Sequence, residues 1–420
     1  MGVADQRTPG MSVGTKAIIG LVAGLAAGAG IVASGITALR SAGSAVEVVG
    51  TLWINAILMT IIPLVVSKIV VSIAGAADAQ AVGRAGRRAG VLFFVLLLGA
   101  GTAAALIMPT VFSWMPLDSA ASAALRAGAK TGANGPPPAL ADMAIGLVPT
   151  NAIRAASEGA IVPLLVFTVA FAFGASRVSA ALREPLVAFF RAVDAAITVL
   201  LQWIVACAPY GVFALGVGLA IRVGVGIVGA LAFYIVVASV ALVAATAALY
   251  LVVFVGARMS PVRFGRAVAP AQAVAFGTHS SMAALPAMIE GAEARLGLPQ
   301  TATGFVLPLS LAVFKFSGPV WFVVVTCFVS RLYDVAIDPS RLVIIVLTAV
   351  VTSFAVGAVP SGAVVVVAPV LAAAGLPLEA IGLLLAVDPL PNGFRTVANV
   401  TGMMAVTVLT SDRTGTPGRI

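Results

Sequence analysis

Charge is what this sequence has least of. Asp, Glu, Lys and Arg make up 9% of the 420 residues, while hydrophobic residues make up 61%. A soluble domain carries about 25% charged residues, so a water-soluble class is excluded and the chain reads as integral to a membrane. Cysteine is nearly absent: Cys207 and Cys327 both lie in apolar stretches, where a free thiol behaves as a small hydrophobe. No Cys-x-x-Cys spacing occurs, and one histidine cannot build a zinc site. No metal centre and no cofactor is therefore expected. Residues 1–16 lack the apolar core and small-residue cleavage site of a signal peptide. They are expected to form a cytoplasmic tail, as residues 412–420 form a C-terminal one.

The chain is nonetheless basic, with a formal net charge of +9. This does not imply a nucleic-acid partner, because Lys and Arg at the ends of apolar segments serve to orient a membrane protein. Two clusters stand out: Arg84, Arg87 and Arg88, then Arg258, Arg263 and Arg266. Each joins consecutive apolar segments. Both are placed on the cytoplasmic side of a cell (plasma or inner) membrane with the N-terminus, and Arg40 alone fits an external loop.

What the sequence has in quantity is uncharged length. A membrane span needs about 20 apolar residues, and Ala17–Leu39, Ala89–Leu117, Ala195–Ile221, Val223–Ala257 and Leu342–Leu378 all qualify. Ala17–Leu39 is rich in Gly and Ala and suited to close packing. A second span is expected from about Val48 to Lys68, whose head snorkels outward, and a third over Gly90–Met108. The stretch from Pro109 to Asp142 contains Thr131-Gly-Ala-Asn-Gly-Pro-Pro-Pro138 and is expected to be an exposed loop.

Later segments are interrupted. Ala267–Gly277 is too short to cross before Thr278-His279-Ser280-Ser281, and Pro286 follows. Leu342–Leu378 is too long for one span and carries Val359-Pro360-Ser361-Gly362 near its centre. Each has the form of two short arms about a small-residue tip, and such backbone at membrane depth must line a cavity or be buried in protein. Paired interruptions of this kind point to a transporter's substrate site. Two full crossings joined by a tight turn remain the other reading of Leu342–Leu378.

Arg395 is the most informative single residue. It sits in Leu390-Pro-Asn392-Gly-Phe-Arg395-Thr396-Val-Ala-Asn399-Val-Thr401-Gly402, within an otherwise apolar segment. A guanidinium at mid-bilayer costs about 2.5–3.5 kcal/mol on insertion scales. It must face a polar partner, and its planar fork suits a carboxylate. That carboxylate is either a ligand's or that of Asp388, seven residues earlier on the same helical face.

The chain resembles the dicarboxylate/amino acid:cation symporters, which include glutamate transporters and bacterial C4-dicarboxylate transporters. The resemblance runs through Ile57–Ser72, Val148-Pro-Thr-Asn151 with Glu158–Pro163, Ala208–Ala214, Phe305–Leu309, Val359-Pro360 and Gly375–Leu378, and is strongest at Arg395–Gly402. It implies an all-α integral membrane protein: eight transmembrane helices plus two re-entrant hairpins, built from inverted repeats, working as an elevator in a homotrimer. Residues 17–266 would be mainly scaffold, interleaved with transport-domain helices at about 90–108 and 228–257. Residues 267–411 would be the core transport domain, with hairpin 1 at about 267–297, helix 7 at 304–330, hairpin 2 at 342–375 and helix 8 at 379–411. The matched substrate positions are Ser280 and Ser281 at the first tip, Val359, Pro360 and Ser361 at the second, then Asn392, Arg395, Thr396 and Asn399.

Departures from the family pattern bear on coupling. Where the family carries Asn-Met-Asp-Gly-Thr, this chain reads Phe314-Lys315-Phe316-Ser317-Gly318, and a later sodium-binding aspartate is Met403. Sodium wants oxygen ligands, which Phe and Met side chains do not offer, so two sodium sites are expected to be lost. A third, built of carbonyls near Ser353 and Phe354, is left open, and the coupling cation is H+ or Na+. Lys315 reads as a tethered cation or, because a buried lysine gives up its proton more readily, a proton carrier; its bland reading is an ion pair with Asp388. His279 and Asp388 are the further coupling candidates. Asn392 replaces the aspartate that meets a substrate's amino group, which favours a plain dicarboxylate.

The expected function is therefore secondary active symport of a small organic anion, C4-type dicarboxylates foremost, not coupled through the usual sodium sites. A sodium-coupled glutamate/aspartate symporter is the alternative, and a transport-dead sensor or anion leak is a reading of another class. An enzyme is not expected: His279 adjoins Ser280 and Ser281 in sequence, a poor geometry for a base reaching its nucleophile.

Overall fold

The computed structural model describes residues 13–75, 84–116, 148–223, 227–356 and 362–411, and among them every regular element is helical. Six stretches are long and apolar enough to cross a bilayer: Thr15–Ser34, Thr37–Gly75, Gly86–Ser113, Ala180–Ala206, Ile227–Ala257 and Ala302–Tyr333. Shorter apolar helices lie between them. Much of the exposed surface is large and apolar, including Leu106, Phe173, Trp203 and Val255, as a lipid-facing surface requires.

The chain starts with α1 (Val13–Ser34) and α2 (Thr37–Gly75). The first expected span thus ends early. Gly35 takes φ +67 and turns the chain, so Thr37–Leu39 belong to the next helix. The span expected from Val48 to Lys68 is longer at both ends, and Pro63 lies inside it. Lys68 does not snorkel outward. Its Nζ lies 2.8 Å from Asp194 Oδ1, in α6 (Ala180–Ala206), because a carboxylate on the neighbouring helix satisfies the ammonium better than a reach to the surface. Then α3 (Arg84–Ser113) runs through Pro109, past the expected start of a loop. The Pro-rich part of that loop lies outside the described residues, as do most of both tails.

After α4 (Ala152–Ser157) and α5 (Ile161–Ala175) comes α6, then α7 (Ala208–Val223), separated from it at Cys207. Contact of α1 with α7 is made by small residues. A Cβ added at Gly20, Gly24 or Gly28 would stand 2.4, 2.3 or 2.6 Å from the carbonyl oxygens of Pro209, Phe213 and Val217. The Gly/Ala stripe read in the sequence is therefore a packing seam. α1, α2, α5, α6 and α7 pack on one another.

A second group forms around α8 (Ile227–Ala257) and the chain beyond it. α9 (Pro261–Thr278) runs to a turn at 279–284, and α10 (Leu285–Glu290) with a π-helical turn (Gly291–Arg295) returns to Gly297, φ +71. This hairpin begins six residues before the expected 267, because Pro261 opens the helix and Arg263 and Arg266 belong to its first turns. The expected single helix 304–330 is in fact broken: α11 (Gln300–Val313) stops and α12 (Ser317–Tyr333) starts afresh. A second interrupted pair follows, α13 (Pro339–Ser353), then α14 (Gly362–Val366) and α15 (Ala368–Ala373). The expected helix 379–411 is also divided, into α16 (Ala380–Val387) and α17 (Pro389–Thr410), with Asp388 at the joint and Pro389 withdrawing a donor. α12 is almost wholly buried, from Ser317 to Val329, and α17 from Val400 to Val408.

Candidate functional site

Both helix breaks lie where α12 and α17 meet. Arg395 projects from the second turn of α17 and is 4% exposed. Its Nη1 lies 2.7 Å from Asp388 Oδ1, its Nη2 donates to Asp388 Oδ2 at 3.2 Å, and the same nitrogen donates to Asn392 Oδ1 at 2.8 Å. The guanidinium carbon stands 4.4 Å from the centre of the Trp321 ring, a cation–π contact supplied by α12. Trp321 Nε1 in turn donates to the Tyr234 hydroxyl of α8 at 3.1 Å. The intramolecular partner weighed for Arg395 is thus present, whereas an ion pair of Lys315 with Asp388, the bland reading of that lysine, is absent among the described residues.

The ion pair is close but imperfect. Nη1 and Oδ1 approach as charges, yet neither makes a properly directed hydrogen bond. A buried carboxylate and guanidinium are expensive to desolvate and are repaid only when their remaining donors and acceptors are satisfied. The Nη1 amino group of Arg395 is therefore open to a further acceptor.

Other matched residues surround this group. Thr396 Oγ1 donates to the Asn392 carbonyl at 2.8 Å. Asn399 Oδ1 accepts the Ser317 backbone N–H at 2.9 Å, capping the start of α12 and leaving its NH2 group to donate elsewhere. The first hairpin's tip reaches the same helix: the Phe276 ring packs edge-on against Phe394 at 5.2 Å, and both Phe276 and His279 Nε2 border Gly393. At that tip His279 takes φ 53, and the Ser280 hydroxyl accepts the Ala283 N–H at 3.2 Å. Ser281 is half-buried beside it. Val359, Pro360 and Ser361 lie outside the described residues.

The first break has the opposite character. Phe314 stacks on Phe93 with centroids 4.6 Å apart and rings 17° from parallel, and Phe316 lies 6.3 Å from Phe314. Phe314 and Met403 are fully buried, and Phe316 nearly so. Gly402 admits the two rings: a Cβ there would meet Phe316 at 2.9 Å and Phe314 at 3.1 Å. The positions expected to have lost sodium ligands therefore form a packed apolar plug. Between the rings, Lys315 is 5% exposed, and its Nζ donates to the Leu311 carbonyl at 2.8 Å.

At the expected carbonyl site, the Phe354 carbonyl accepts the Ser72 hydroxyl at 3.1 Å and the Ser353 carbonyl accepts the Val356 N–H at 3.4 Å. Ser353 Oγ donates to the Ala349 carbonyl at 2.6 Å, and the neighbouring Thr352 Oγ1 is buried without a partner.

Trp321, Tyr234 and Gln272 were not singled out by sequence. Gln272 Nε2 ties the first hairpin to both neighbours, donating to the Tyr250 hydroxyl at 3.0 Å and to Thr401 Oγ1 at 2.8 Å. The signal for the aromatic pair was scarcity, since Trp and Tyr number four each in the whole chain, and a polar-tipped ring buried in an apolar helix usually has a partner.

A family model described as the sodium:dicarboxylate symporter family matches residues 14–413. The chain belongs to that family. The proton/sodium-glutamate symport protein of Bacillus subtilis (strain 168) is 28% identical, over 94% of this chain and 91% of the relative. The proton/glutamate-aspartate symporter of Escherichia coli (strain K12) is also 28% identical, over 86% and 83%. The human neutral amino acid transporter B(0) is 31% identical, over 92% of this chain and 77% of the relative. The chain is accordingly a multi-pass membrane protein of a secondary symporter family, and that family is one of transporters rather than enzymes.

Proposed function

We propose that this protein is a symporter of a small dicarboxylic anion, with an acidic amino acid such as glutamate or aspartate as first choice, driven by protons. The buried Arg395, with its charge paired and its Nη1 amino group left without a directed hydrogen bond, carries the reading. A substrate carboxylate takes the Nη1 donors and draws the guanidinium from Asp388. Asp388 is then a buried carboxylate short of its cation, and protonation there restores neutrality. Ser280, Ser281, Thr396, Asn392, Asn399 and the second tip (Val359, Pro360, Ser361) complete the donor shell. Lys315 supplies the fixed positive charge that a cation at the first break would otherwise bring.

The choice of an acidic amino acid over the C4-dicarboxylates first expected from Asn392 follows the relatives, which are named for glutamate, aspartate or neutral amino acids. Retention of Arg395 favours the acidic among these. Two observations favour other readings. Asn392 in place of a carboxylate favours an acid without an ammonium group, and the unpartnered Thr352 Oγ1 beside Ser353 and Phe354 favours a surviving sodium site of oxygen ligands.

The helices around α2 and α7 would form the scaffold. Those from α8 onward, with α3, would form a unit that carries the substrate across, giving eight spans and two hairpins in each subunit of a trimer in the plasma membrane, N-terminus cytoplasmic. Uptake of labelled glutamate, aspartate and succinate into liposomes, each competed against the others, tests the substrate. Arg395→Ala is expected to abolish uptake of whichever is carried, and undiminished uptake would remove Arg395 from the site.

A further inference from the structure

Three arginines at the base of the first hairpin have no part in the site above. Arg263 and Arg266 lie on the first turns of α9, and Arg295 ends the π-helical turn of the returning arm. The arms are tied crosswise through these residues. Arg263 Nη2 donates to the Leu296 carbonyl at 3.3 Å, and Arg295 Nη1 donates to the Arg266 carbonyl at 3.0 Å. Backbone bonds thus hold two guanidiniums in place without neutralising them.

With Ser260 and Val262, the three arginines line an open cavity of about 590 Å³. Ser260 stands at the N-cap of α9 but its side chain caps nothing, so its hydroxyl is free to face the cavity. Among the described residues Glu290 is the one carboxylate paired with the cluster, 3.8 Å from Arg295 and largely exposed. Three like charges gathered on one space repel each other, and an anion between them removes that repulsion. A phosphate group fits best, because its oxygens accept parallel N–H pairs from a guanidinium fork.

The position of the cluster adds a second argument. It follows directly on α8, whose apolar length is enough to cross a bilayer, so the cavity opens where the hydrocarbon ends. Val262 in its lining exposes an apolar side chain, as do Phe254 and Val255 near the end of α8. Basic pockets at this depth suit lipid headgroups.

The geometry points to a binding site for a phosphate-bearing anion between the two arms of the first hairpin, formed by Arg263, Arg266, Arg295 and Ser260. The anion comes either from an anionic lipid headgroup or from solution, and the site does not depend on which acid the protein carries. Its occupancy joins the two arms at their base.

The full chain in neutral detergent is titrated with short-chain phosphatidylglycerol, with phosphatidylcholine, whose phosphate is already paired with choline, and with inorganic phosphate. Thermal unfolding and the bound mass seen by native mass spectrometry are read for each. Phosphatidylglycerol is expected to bind and to raise the unfolding midpoint, and phosphatidylcholine is not. An equal response to inorganic phosphate identifies the free anion as the ligand; no response to it identifies the headgroup. Arg266→Gln is the principal variant, because that guanidinium makes no hydrogen bond among the described residues, and it is expected to weaken binding about tenfold. Arg263→Lys keeps the charge but loses the fork and is expected to weaken binding less. Arg258→Gln, one helix start away and outside the cavity lining, leaves binding unchanged. Absence of binding by both phosphatidylglycerol and phosphate overturns the site, as does an equal loss in Arg258→Gln and Arg266→Gln.

Discussion

At the joint of α16 and α17, Asp388 and Arg395 place opposite charges 2.7 Å apart. At the gap between α11 and α12, the Lys315 ammonium donates to the Leu311 carbonyl and meets no carboxylate among the described residues. Both breaks interrupt helices, and both hold charged side chains in the buried interior. The α16–α17 joint carries its own counter-ion, so a ligand must compete with it. The α11–α12 gap carries none among the described residues, so the cation is part of the structure from the start and Phe314, Phe316 and Met403 close the space around it. In the proposed cycle one break would exchange a charge partner and the other would hold its charge fixed, a division of labour for coupling without the two sodium positions expected to be lost.

Removing one side of the matched pair should have the largest effect. Arg395→Ala leaves Asp388 buried and unpaired, a change that typically costs about 3–5 kcal/mol, and it removes carboxylate binding as well. Arg395→Ala combined with Asp388→Asn should recover much of the thermal stability while binding stays lost. If stability and binding return together, the pair is structural and the substrate lies elsewhere.

Lys315→Met should lower stability little, because it removes a buried cation that has no ionic partner among the described residues. Uptake should either fail or acquire a need for an added cation. Normal uptake with the same ion requirement would sink the fixed-charge reading of the first break.

Asn392→Asp adds a second carboxylate beside the pair. Preference should move towards amino-bearing acids by about tenfold, the worth of one charge-assisted hydrogen bond. Competition between aspartate and succinate measures it, and an unmoved ratio takes Asn392 out of the specificity argument. The smallest effect is expected outside both breaks: Asp338 caps α13 by accepting the Arg341 N–H at 2.9 Å, so Asp338→Ala should cost about 1 kcal/mol in thermal unfolding and leave ion dependence unchanged.

The contrast between the breaks also explains what could be read without a structure. Arg395 was legible because a guanidinium in an apolar segment demands a partner, and Asp388 could be named from helical spacing alone. The turn after α9 was legible from the short apolar arms around Ser280-Ser281, while the second expected tip, Val359-Pro360-Ser361, lies outside the described residues. The gap at Phe314–Phe316 could have been read from Gly318-Pro319 just beyond it, because a proline near a helix start cannot donate back across the break. Its long-range partner could not: Asn399, 82 residues away, takes the Ser317 N–H that a continuous helix would have used. Trp321 and Tyr234 were hidden for a similar reason, because their role depends on α8 and α12 meeting beneath Arg395. Lys68 was misread because Asp194, its partner, lies on another helix.

The coupling claim is tested most directly by uptake of labelled aspartate into liposomes of the purified protein, with proton and sodium gradients imposed separately. A proton gradient alone should drive accumulation, and removing sodium should change nothing. Accumulation that requires sodium and ignores the proton gradient would contradict the account and assign the coupling to the oxygens near Thr352, Ser353 and Phe354.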